Sequence, residues 1–169
     1  MKNLCIAYVT KTNTTKEIAI EIAKIAREKG WEAKVINFSN IESLEGYDAI
    51  LIGSPINGMQ WLPEAYDFVE KHKDSLKQIP ISYFLVSYLM NSGSRMWKRM
   101  IDNSLNKAIK SVKPMMIGKF NGKIDAEFGT IPRLLFGVKK DTPLDLRNWD
   151  KIKSWAHEFI DTLNQMEKE

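Results

Sequence analysis

The sequence predicts an α/β fold, a three-layer α/β/α sandwich built on a five-stranded parallel sheet. Short runs that are apolar throughout alternate with segments whose apolar residues recur at helical spacing. Strands that are apolar on both faces belong to a parallel sheet covered by helices above and below, joined by right-handed crossovers. With 169 residues, 44% of them hydrophobic, the chain can bury a substantial core, and residues 1–169 are expected to form a single domain.

The first apolar run is Leu4 to Val9, followed by helical periodicity at Ile18, Ile22, Ile25 and Ala26 that Gly30 closes. Ala33 to Phe38 and Ala49 to Ile52 read as the second and third strands, the third ending at the turn residues GSPING. Pro63 fits the first turn of a helix that buries Ala65, Phe68, Val69 and Leu76. ISYFLVS is the fourth strand. From Ser94 to Val112, Trp97, Met100, Ile101, Leu105, Ala108, Ile109 and Val112 trace one amphipathic helix, which Pro114 ends. MMIGKF supplies the fifth strand, and Asn148 caps a last helix with Trp149, Ile152, Trp155, Phe159, Leu163 and Met166 on one stripe.

Cys5 is the sole cysteine and lies in an apolar run, so it reads as a small buried hydrophobe in a reducing compartment. The apolar run near the N-terminus is too short for a signal peptide or a membrane span, so the expected location is cytoplasmic, with peripheral membrane contact left open. The formal charge is +4, yet the stretch from Arg95 to Lys123 holds eight basic residues against one acid, Asp102. Its plain reading is a solvated helix face, and its functional reading is a surface for anionic substrate or lipid headgroups. The apolar piece Ile131 to Lys140 would join it at a lipid surface.

In open parallel sheets, ligands bind at the carboxyl ends of the strands, where the strand order reverses. Three loops leave such ends: Thr10 to Thr15, Ser54 to Leu62, and Ser87 to Gly93. The first packs Thr10, Lys11, Thr12, Asn13, Thr14 and Thr15 against the start of a helix. Unpaired N–H groups and a partial positive charge there attract phosphate, and the threonine hydroxyls add donors. A simple helix cap would use one hydroxyl and leave three unexplained. Asn13 is expected in the left-handed region, which asparagine tolerates. No G-x-G-x-x-G follows the first strand and no G-x-x-x-x-G-K-[ST] occurs, so a monophosphate is favoured over a dinucleotide or a triphosphate. In the second loop Gly58 permits close backbone approach, and Trp61 offers a flat apolar face; in the third, Ser87 is followed by Tyr88. Two aromatics beside a phosphate cradle suit a planar ring.

The pattern TKTNTT, Thr10 to Thr15, resembles the T/S-x-T-G-x-T phosphate loop of the flavodoxin family, with Asn13 in place of the usual glycine. Within that superfamily, YDAILIGSPINGMQWLPEAYDFVEKH, FNGKID and LRNWDKIKSWA are most similar to the menaquinone-dependent protoporphyrinogen oxidases and their flavodoxin-domain relatives. The resemblance implies a flavodoxin-like fold of strand order 2-1-3-4-5 with flavin mononucleotide (FMN) at the switch point, an arrangement for which flavodoxin is the standard illustration. The FMN phosphate would lie on the first loop. The ring would lie against Ser54, Pro55, Ile56, Asn57, Gly58 and Trp61 of the second loop and Ser87 and Tyr88 of the third. Backbone around Asn57 and Gly58 would meet its N5 edge.

The activity this implies is an FMN oxidoreductase of the protoporphyrinogen oxidase type, passing electrons from an organic substrate to a quinone or other small-molecule acceptor. The alternative is a flavodoxin-type electron carrier serving a protein redox partner. Carriers of that type are generally acidic around the flavin, whereas the second and third loops here contain no acid, which favours the enzyme. Nucleic acid is not an expected partner, since no recognised binding motif accompanies the basic stretch. No G-x-S-x-G occurs, and His72 and His157 each stand alone on predicted helices, which gives no basis for a hydrolase or a metal site.

Overall fold

The computed structural model describes residues 2–88, 95–124 and 144–166. Along the first strand, β1 (Lys2–Tyr8), alternation sorts side chains between two cores. Leu4 and Ile6 enter one apolar cluster with Phe84, Phe120 and Phe159, whereas Cys5 and Ala7 enter another with Ile50, Ile52, Phe68 and Leu85. Both clusters are almost free of water, which is why these strands lack a polar face.

Four further strands lie parallel to β1: β2 (Trp31–Asn37), β3 (Ala49–Asn57), β5 (Ile81–Ser87) and β6 (Ile117–Asn121). Their spatial order is β2-β1-β3-β5-β6, which is 2-1-3-4-5 when the long strands alone are counted. Leu4 pairs with Ala33 on one side and Ala49 on the other, so the order reverses beside β1 and opens a crevice at its carboxyl end.

Helices cover both faces. α1 (Thr14–Glu28) buries Ile18, Ile22, Ile25 and Ala26, the predicted stripe, and packs with α5 (Trp149–Met166) over the first cluster. Each isoleucine so buried contributes about 1.5–3 kcal/mol. Asn148 caps α5 as predicted, its side-chain oxygen accepting from the Lys151 N–H at 2.9 Å. α2 (Pro63–Leu76) covers the second cluster with α3 (Arg95–Ser104) and α4 (Asn106–Ser111), and Pro63 occupies its first turn.

Three expectations need correction. The third strand runs on to Asn57 and not to Ile52, because it turns back through a two-residue loop into β4 (Gln60–Trp61). The stretch read as one helix from Ser94 to Val112 divides after Ser104, whose carbonyl accepts the Tyr66 hydroxyl while its own hydroxyl donates to the Ile101 carbonyl. A short antiparallel pair, β7 (Lys123–Ile124) with β8 (Leu144–Asp145), adds to the expected elements. The stretch 131–140 and the third loop beyond Tyr88 lie outside the described residues.

Candidate functional site

At the carboxyl end of the sheet, the three loops converge on one cleft of about 80 Å³. Lys11, Thr12, Thr14 and Thr15 line it from the first loop, Pro55, Ile56 and Asn57 from the end of β3, and Ser87 and Tyr88 from the end of β5. Lys11 is the charged member of this lining, and no acid occurs in it among the described residues.

The cradle follows from its local sequence. Asn13, at the N-cap of α1, takes φ 58°, the left-handed conformation expected of it, and its side chain makes no capping hydrogen bond. The first turn's N–H groups are therefore not consumed by that side chain. The Thr12 and Thr14 hydroxyls lie 3.1 Å apart and satisfy each other. The hydroxyls of Thr10 and Thr15, by contrast, are buried without any partner, and Thr15 is 1% exposed. A buried unpaired hydroxyl costs about 1–3 kcal/mol. The Thr15 hydroxyl lines the cleft beside a helix N-terminus and Lys11, a donor set suited to a phosphate monoester, so the residues present fit the phosphate of FMN; Thr10 is not among the lining residues.

The second loop is a hairpin. Ile56 pairs with Trp61 and Asn57 with Gln60, leaving Gly58 and Met59 as the turn, with φ of 57° and 68°. Positive φ at both positions marks a type I′ turn, and holding methionine there costs about 1–2 kcal/mol. Asn13 and Met59 are the non-glycine residues with positive φ among the described ones, and both lie in loops bordering the cleft, a placement typical of functional backbone.

Several predicted residues stand elsewhere. Trp61 is 1% exposed and its ring packs edge-on against Tyr66 and Tyr83, at 5.9 and 5.2 Å between centroids. This corrects the expectation of a flat platform for a ring, since the strand register turns the indole into the core. Ser54 is fully buried, its hydroxyl donating to the Pro55 carbonyl and accepting from the Leu62 N–H, so it ties the hairpin together and does not line the cleft. Gly58 faces a different groove, of about 640 Å³, on the α3 side of the turn. Met59, Gln60, Tyr66, Met100 and Lys107 also line that groove, with the Lys107 ammonium 5.3 Å from the centre of the Tyr66 ring.

Sequence reasoning missed Val86, which lines the cleft from inside β5, and Gly122, which supports Tyr88. A Cβ at Gly122 would stand 3.1 Å from the Tyr88 ring, so the absent side chain is what lets that ring settle over the end of β6. The glycine of FNGK, between β6 and β7, carried that signal. His72 is buried on α2 against Phe68, and His157 is exposed; no cluster of metal-ligating side chains occurs among the described residues. No helix among them is long and apolar enough to cross a membrane.

Comparison with known proteins agrees with this geometry. The flavodoxin domain family matches residues 5–134. Protoporphyrinogen IX dehydrogenase [quinone] of Escherichia coli K12 is 34% identical over 89 residues, covering 52% of this chain and 49% of that protein. The chain thus spans about half the length of the curated relatives it matches. Among solved structures, a flavodoxin from the domain Archaea superposes with a TM-score of 0.60 at 14% identity, covering 96% of this chain and 99% of that one. Rubredoxin oxygen:oxidoreductase from Desulfovibrio gigas gives a TM-score of 0.64 at 14% identity, with 98% of this chain and 37% of that one covered. At such identities these structures establish the fold, while the family match spans most of the chain. The chain therefore belongs to the flavodoxin domain family, whose cofactor is FMN.

Proposed function

We propose that residues 1–169 act as one FMN-dependent oxidoreductase domain, of the protoporphyrinogen oxidase type, that passes electrons from an organic substrate to a quinone. The observation that carries the cofactor site is the buried, partnerless hydroxyl of Thr15, which lines the cleft in the first turn of α1. With Lys11, Thr12, Thr14 and the first N–H groups of α1, it would hold the phosphate. Pro55, Ile56, Val86 and Tyr88 would exclude water from the ring, and the Asn57 backbone would meet its edge. Bound there, the flavin supplies one- and two-electron chemistry at its ring, and the protein supplies binding and orientation.

The enzymatic reading draws support from the groove on the α3 side of the hairpin turn. Its volume of about 640 Å³ is in the range of small-molecule sites, and Met59, Met100 and Tyr66 give it an adaptable apolar wall. The partial likeness to the Escherichia coli quinone-linked dehydrogenase points the same way. The absence of acids among the described residues that line the cleft argues against a carrier that docks a basic partner there. A cytoplasmic location with peripheral membrane contact accords with a quinone acceptor.

The purified protein should show the absorption bands of oxidised flavin and bind FMN far more tightly than riboflavin. Mixed with a porphyrinogen and a menaquinone analogue, the flavin-loaded protein should turn over. Equal affinity for the two flavins would overturn the phosphate cradle. Absence of turnover together with fast reduction by a flavodoxin reductase would establish the carrier instead.

A further inference from the structure

We propose that Arg147 is a positioning residue that makes the cradle selective for a phosphorylated flavin, by neutralising the Glu17 carboxylate one helical turn beyond the anion site. The proposal rests on the FMN reading above. Glu17 closes the first turn of α1, its N–H donating to the Asn13 carbonyl at 2.9 Å. At 1.5 Å of rise per residue, its backbone stands only about 5 Å along the axis from Thr14. A carboxylate at this end of a helix ordinarily gains from the helix dipole. Here the same field must hold a phosphate monoester with a charge of about −1.5 to −2, and an uncompensated Glu17 would repel it.

Arg147 removes that conflict from a distant part of the chain. Its side chain is 7% exposed, with one guanidinium nitrogen on the Glu17 carboxylate and another on Asp145 at 2.6 Å. Its Nε donates to the other Asp145 oxygen at 2.8 Å, and the guanidinium stacks 4.6 Å from the centre of the Trp149 ring. The hydrogen bonds from Arg147 hold the Asp145 carboxyl below its ordinary range. Asp145 and Trp149 thus fix the guanidinium from below, and its free corner is aimed at Glu17. Because this fork is anchored without Glu17, the arginine reaches α1 already oriented.

The charges give an ordered expectation. With Arg147 positive and Glu17 and Asp145 negative, the cluster carries −1; Arg147→Gln makes it −2, Glu17→Gln makes it neutral, and the double variant returns it to −1. FMN affinity should therefore rank Glu17→Gln first, the unmodified protein and the double variant together, and Arg147→Gln last. Each step should be about fivefold at low salt, the scale of a screened charge acting on a dianion several ångströms away. The steps should shrink in about 0.5 M salt. Riboflavin affinity should be the same in all four full-length proteins. Glu17→Gln alters a partly exposed side chain, so the ranking remains measurable even if Arg147→Gln folds poorly.

Fluorescence titration with FMN and with riboflavin tests this directly. A constant ratio of FMN to riboflavin affinity across the four proteins would refute the assignment, as would equal weakening of both flavins by Arg147→Gln, which marks a packing role. Equal binding of the two flavins by the unmodified protein would instead overturn the FMN reading, and the inference with it.

Discussion

Thr15→Val should stabilise the flavin-free protein while weakening its hold on FMN. Thr15 is 1% exposed and its hydroxyl has no partner, so folding without FMN strips that oxygen of water and returns nothing. Valine has the same shape and nearly the same helix propensity, and removes only the polar atom. An unpaired buried hydroxyl costs about 1–3 kcal/mol, and the urea midpoint of the flavin-free variant should rise by the equivalent of about 1 kcal/mol. In the proposed FMN complex the hydroxyl would donate to phosphate, a charge-assisted bond worth about 1.5–3 kcal/mol. Losing it should raise the FMN dissociation constant about 10- to 150-fold, with riboflavin affinity unchanged. Thr14→Val is the internal control: the Thr14 hydroxyl is already 3.1 Å from that of Thr12, so no gain in flavin-free stability is expected. A Thr15→Val protein that is less stable without flavin, yet binds FMN normally, would refute the reasoning.

Trp61→Ala should lower the unfolding free energy by about 3–5 kcal/mol in urea, as removal of a core indole does. A variant of native stability with altered flavin binding would restore Trp61 as a ring platform. Gly53→Ala should be severely destabilising, because its new Cβ would lie 2.0 Å from the Phe84 ring; combining it with Phe84→Leu should recover part of the loss in thermal melts. His72 is buried beside Phe68, and desolvation, followed by the charge of Lys71, depresses its pKa below the ordinary imidazole value. It folds neutral, so its contribution to stability is intact above about pH 6.5 and is lost as pH falls through the depressed value. The melting temperature of His72→Phe should accordingly drop less between pH 7 and pH 5 than that of the unmodified protein.

The sheet, its helices and the backbone of the loop before α1 were legible because their signals are local. Six consecutive residues from Thr10 to Thr15 show both the hydroxyls and the helix they precede, and the asparagine that must take positive φ sits among them. The hairpin was half legible: Asn57–Gly58 is a recognised turn signal, but the turn itself falls one residue later, on Gly58 and Met59. What the sequence did not show is the short strand β4 itself: Trp61 pairs with Ile56, and both side chains join the second core cluster. An aromatic residue in a presumed loop therefore looked like a binding surface and proved to be core.

What local reading could not supply is the charge balance of the site. Glu17 belongs to the predicted first helix and looks there like an ordinary N-terminal acid. Arg147, 130 residues away, looks like one more surface cation. Only the fold, which lays the segment between β8 and α5 against the start of α1, brings them together, and with Asp145 they convert a neighbouring like charge into a paired one. The donors of a phosphate site can be read from one loop, because a helix N-terminus and its preceding hydroxyls are contiguous in sequence. Its selectivity depends on every charge within about a Debye length, and those charges are assembled by the fold.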